Sequence, residues 1–158
     1  MIRDFIEDEN AVSISVGFIL TFTISVLMIV MVLSSFYSLM NDAEQTVMHD
    51  EFEIHGNDIA VRIATIDTMV GSMTDSGASV EEIQYEFNMP SRIAGKPYSV
   101  ELDNSSGDIV FISDKRERTQ VKVPYFAENT VVSASTVESI KGNFVIAYDP
   151  ETNIIIIY

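Results

Sequence analysis

Hydrophobic and polar positions divide this chain into three regimes. From residue 11 to residue 40 there is no charged residue and no proline. As a helix, that stretch would be about 45 Å long, whereas a hydrocarbon core of about 30 Å needs only some 20 apolar residues. It has no polar face, as a soluble helix of that length would, so the pattern predicts a transmembrane helix with length to spare. From residue 41 the pattern becomes amphipathic. Met48, Phe52, His55, Ile59, Ile63, Ile66, Val70 and Met73 recur by threes and fours, the spacing of one apolar helical face. Asp50, Glu51, Glu53, Asp58, Arg62 and Asp67 fall between them and predict a polar opposite face. Gly56 allows a bend, and the turn-rich residues 71–79 predict the end of the helix.

Beyond residue 80 the period shortens to two. Ile83, Tyr85, Phe87 and Met89 predict one strand; Tyr98, Val100 and Leu102 a second; residues 109–112 a third. Val121 and Val123 precede Pro124, whose missing N–H predicts an edge or a strand end. A strand over 130–133 follows. Phe144, Ile146 and Tyr148 then pair with residues 154–157 across Asp149-Pro150-Glu151-Thr152-Asn153. Four consecutive isoleucines on an open edge would invite aggregation, so this last strand is expected to be central and buried on both faces. The fold class expected is α+β: a long N-terminal transmembrane helix continues into an amphipathic helix packed on a C-terminal sheet or small sandwich of six or seven antiparallel strands. The corresponding divisions are a charged leader at 1–10, a membrane helix at 11–40, an amphipathic helix at 41–73 and a β-rich head at 80–158.

Composition narrows the partners. The formal charge of −15 argues against nucleic acid and against anionic headgroups, both of which need clustered Lys and Arg. With no cysteine, a disulfide framework and thiolate metal sites are excluded, and the head must fold by core packing alone. Arg3 is the only basic residue before the apolar stretch, and none follows it until Arg62. That charge asymmetry favours the N-terminus inside, with the head extracytoplasmic. A cleaved secretory signal is not expected, because the apolar run is too long and no Ala-x-Ala pattern follows it.

Ala11-Val12-Ser13-Ile14-Ser15-Val16-Gly17-Phe18-Ile19-Leu20, directly after a short charged leader, resembles the opening of archaeal type IV pilin-like proteins, a family that includes archaellum and pilus accessory subunits. The resemblance covers about the first quarter of the chain. It implies removal of the leader near Ala11 and Val12 by a membrane peptidase, and a mature helix that serves as a filament core. The sequence departs from that family at Ile14, where proline is common, and in its acidic rather than basic leader.

Within the apolar stretch Ser13, Gly17, Thr21 and Ser25 recur every four residues. They form either a close-approach stripe for another helix or a set of hydroxyls bonded to their own carbonyls four residues back. His49 and His55, with Glu53 near His49, lack a third convergent ligand, so no metal is assigned. The loop at 103–108 holds the sequon Asn104-Ser105-Ser106, a glycosylation candidate; it lacks the further ligands of a calcium loop and reads as a hairpin turn. Lys115, Arg116 and Arg118 form the only basic cluster, either an interface charge or a soluble hairpin tip. No nucleophile elbow, phosphate loop or ligand set is present, so neither an enzyme nor a cofactor is expected. The function expected is a pilin-like structural subunit of a cell-surface filament or its anchor. Its partners would be the membrane, copies of itself or related subunits, and an envelope or S-layer protein. The alternative is a permanently anchored single-pass binding protein.

Overall fold

The computed structural model describes the backbone of residues 2–113 and 119–158, and the side chains of residues 12–113 and 119–158. Among the described residues one α-helix, α1 (Ile2–Asp75), is followed by eight strands: β1 (Ile83–Asn88), β2 (Tyr98–Asp103), β3 (Asp108–Ser113), β4 (Gln120–Pro124), β5 (Val131–Val132), β6 (Ser135–Glu138), β7 (Asn143–Asp149) and β8 (Ile154–Ile157), with a 3-10 turn at Ser139–Lys141 between β6 and β7. The chain forms two compact units, Met1–Ala43 and Glu44–Tyr158. The first is helical throughout its described residues. The second is the head, and it has an α+β layout with a helix packed on sheet.

The head contains two four-stranded sheets, ordered β1-β7-β8-β5 and β4-β3-β2-β6. Alternating apolar residues set the register: Phe87 lies opposite Phe144, and Ile146 opposite Ile157. Val121 and Val123 are buried between exposed Gln120, Lys122 and Pro124, and β4 is an edge strand, where a proline costs no ladder bond. Helix and sheets share one core. Phe52 of α1 lies 5.3 Å from the ring of Tyr98 and 5.2 Å from that of Phe111, distances at which aromatic pairs attract beyond simple burial. Further along α1, the Arg62 guanidinium lies 5.3 Å over the Phe87 ring of β1.

Several expectations need correction. The sheets are not wholly antiparallel: β5 pairs in parallel with β8, Val131 opposite Ile154. Between those two strands the chain crosses to the other sheet as β6 before it returns through β7. Strand β6 was not expected, because Ser-Thr-Val-Glu offers a single buried apolar residue, Val137, too few to show a period. Strand β8 is internal to its sheet, but only Ile155 and Ile157 are buried; Ile154 and Ile156 are half-exposed. Helix α1 also runs through Gly71 and stops at Asp75. Its end is set by Gly77, at φ 72°, whose N–H bonds the Thr74 carbonyl while the Ala78 N–H reaches that of Met73. This pair of bonds is the Schellman arrangement, in which glycine adopts the left-handed conformation without a Cβ clash.

Gly56 and Gly71, the two glycines of α1 within the head, are packing positions rather than breakers. A Cβ on Gly56 would lie 2.5 Å from Val123 Cγ2, and one on Gly71 would lie 2.6 Å from Asn129 Nδ2. Gly56 is buried where His55 was expected on the apolar face, and His55 is half-exposed beside Glu51 at 3.6 Å. The stripe ends at Val70, since Met73 is exposed.

Candidate functional site

The apolar segment of α1 is the first candidate. From residue 12 to residue 40 every side chain is exposed, among them Phe18, Leu20, Phe22, Met31, Leu33 and Phe36. A helix longer than 18 residues with a mean hydropathy of 2.7 in its most apolar window, near the N-terminus, is long and apolar enough to cross a membrane. Among the four stripe residues, the Thr21 hydroxyl donates to the Gly17 carbonyl at 2.9 Å, and the Ser25 hydroxyl to that of Thr21 at 2.8 Å. Neither hydroxyl therefore needs an outside partner in an apolar solvent. Gly17 has open space where a Cβ would project, and Ser13 is exposed. The stripe is thus smooth and free of unmet donors at Thr21 and Ser25. The side chains of the leader and Ala11, at the expected cleavage position beside exposed Val12, lie outside the described residues. So do Lys115, Arg116 and Arg118.

In the head, α1 presents two faces. Met48, Phe52, Ile59, Ile63, Ile66 and Val70 are buried, while Val47, Ile54 and Val61, seven residues apart, are exposed. Ala64, Thr65, Thr68 and Met69 continue that outward face as a shallow apolar depression with Val61. Besides the core face expected from the apolar spacing, the helix therefore has a second, uncovered face. His49 is exposed and 3.8 Å from Asp50. Among the described residues no three His, Asp or Glu side chains gather into a metal-holding cluster.

The residue that sequence reasoning missed is Asp67. It was expected on the polar face, yet it is only 5% exposed. Its carboxylate accepts hydrogen bonds from the backbone N–H groups of Glu128, Asn129 and Thr130 at 2.8–3.0 Å, and from Thr130 Oγ1 and Asn129 Nδ2. Burial works to raise its pKa. The bonds from Glu128 and Thr130, with that from Asn129, outweigh burial and hold the carboxyl below the usual carboxylate value. The residue ties α1 to the chain entering β5, and a Cβ-free Gly71 lets Asn129 approach the helix. The signal that could have found it is positional, since Asp67 directly follows Ile66 and lies four residues after Ile63.

Asn104 is exposed at the tip of the β2–β3 hairpin. Asp103 organises that turn: its Oδ1 accepts from Ser105 N at 3.0 Å and Ser105 Oγ at 2.6 Å, and its Oδ2 from Ser106 Oγ at 2.9 Å. The serine side-chain and backbone bonds hold the Asp103 pKa down at about 2. Gly107, at φ 73°, closes the turn with a bond from its N–H to the Asp103 carbonyl.

Residues 7–157 match the DUF7266 family, described as a family of unknown function. The chain belongs to this family. The match runs from before the apolar segment to the last strand, so the DUF7266 unit comprises helix and head together. No curated protein and no solved structure matches the chain.

Proposed function

We propose that this DUF7266 chain is a pilin-like structural subunit, held in the membrane by residues 12–40 and bundled through that helix into a surface filament or its anchor. The observation that carries the reading is the apolar segment itself, about 43 Å of helix with every side chain uncovered. A plain anchor needs only about 30 Å. The surplus is of use to a helix that packs against other helices. Because lipid is as apolar as leucine, association must come from close packing, and Gly17 with the internally bonded Thr21 and Ser25 supplies a surface a second backbone can approach. Within the head, Val47, Ile54 and Val61 recur at seven residues, a spacing that holds one face only when helices wind around each other. The resemblance of residues 11–20 to archaeal type IV pilin-like proteins points the same way. In this reading the head lies outside the cytoplasm and meets copies of the chain, related subunits or an envelope protein.

Intact mass of the protein from native membranes tests the reading. Loss of about ten N-terminal residues, together with filaments by electron microscopy, is the expected result. A full-length chain that never assembles leaves the other reading, a permanently anchored binding protein.

A further inference from the structure

We propose that Asn104 is an N-glycosylation site and that the first sugar of its glycan rests in the adjoining groove against Phe126. The inference goes beyond the structural role and rests on it in one respect, that the head faces the extracytoplasmic side. Three observations converge. Asn104-Ser105-Ser106 is the only Asn-x-Ser/Thr sequence in the chain. Its asparagine is exposed in a hairpin turn, and among the described residues its amide has no hydrogen-bond partner, whereas the side-chain amides of Asn129, Asn143 and Asn153 are all engaged. Beside it lies a groove of about 330 Å³ lined by Asn104, Gly107, Tyr125, Phe126, Thr130 and Val131. Phe126 is 68% exposed there, on a head whose other phenylalanines, Phe52, Phe87, Phe111 and Phe144, are buried.

The chemistry uses groups that are on the surface. The Asn104 Nδ2 attacks the anomeric carbon of a lipid-linked oligosaccharide phosphate presented by a membrane oligosaccharyltransferase. The C1–N bond forms, the C1–O bond to phosphate breaks with its electron pair leaving on the phosphate, and Nδ2 gives up one proton to a base of the transferase. The Ser106 hydroxyl, which completes the sequon, is held within 2.9 Å of both Asp103 Oδ2 and Asp108 Oδ2, so the turn is set before and after transfer. Once attached, the apolar face of a pyranose can cover the Phe126 ring and remove it from water.

The test is mass spectrometry of peptides from the full chain, isolated from native membranes, alongside protease treatment of whole cells. A glycan mass on the peptide containing Asn104 is expected. It should vanish in Asn104→Gln and Ser106→Ala and persist in Ser106→Thr, which keeps the hydroxyl. An unmodified peptide from a head that external protease digests overturns the glycosylation and leaves the topology standing. An unmodified peptide from a protected head overturns both. A mass that survives Ser106→Ala also overturns the proposal, because the sequon would not be its cause. For the groove, Asn104→Gln should lower Tm by about 3 °C in the wild-type background and by nothing in a Phe126→Ala background. Equal shifts in the two backgrounds overturn the packing against Phe126.

Discussion

At the scale of single residues, Asp67 shows how one carboxylate can decide the path of a loop. Three consecutive backbone N–H groups, at Glu128, Asn129 and Thr130, find their acceptor on it. Asp67→Ala leaves them without that partner, and a loss of about 2–4 kcal/mol is expected in urea unfolding of the full chain in detergent. Because the folded pKa lies below the unfolded value of 3.8, the stabilisation is complete above that value and disappears as pH falls through the folded pKa. Acid titration of stability should therefore be flatter below pH 4 in Asp67→Asn than in the wild type. Gly56 offers a second residue-scale test. Alanine there gains about 1 kcal/mol of helix propensity, but its Cβ meets Val123 at 2.5 Å, an overlap that costs about 1–3 kcal/mol. A net loss of about 1 kcal/mol is expected, reduced when Val123→Ala is added. A gain in stability from Gly56→Ala alone would refute the close approach.

At the scale of elements, α1 and β8 carry the clearest expectations. In the apolar segment Gly17→Leu fills the open position on the small-residue stripe while adding hydrophobicity. Membrane insertion should be unchanged and assembly impaired, read by fractionation and by filament counts. Filaments at the normal level would remove the packing argument. In β8 alternate burial predicts unequal costs: about 3 kcal/mol for Ile155→Ala, which empties a fully buried site, and under about 1 kcal/mol for Ile156→Ala. Equal effects would mean that the strand is covered on both sides. The helix and most strands were legible because their periods, 3.6 and 2, are written in apolar spacing. Strand β6 was not, since pairing with β2 rather than its own composition makes it a strand. The two faces of α1 blurred in sequence for a related reason. Ile59, Val61 and Ile63 are chemically alike, and only the position of the sheets determines which of them is covered.

At the scale of the whole molecule, two units of opposite character are joined in one chain. Residues 12–40 have no core of their own, whereas Glu44–Tyr158 buries a continuous one. A chain beginning at Asn41 should therefore be soluble and strand-rich by circular dichroism. Aggregation or a wholly helical spectrum would contradict an independent head. The division between an apolar helix and an α+β head was determined by the sequence alone, because uncharged length and alternating period are local properties that any solvent reads the same way. The tertiary structure alone decided that Asp67 is buried, that Gly56 and Gly71 are contact points, and that β5 runs parallel to β8. Each depends on what lies opposite in space, and nothing in the spacing of neighbours along the chain encodes a surface contributed by residues distant in the sequence.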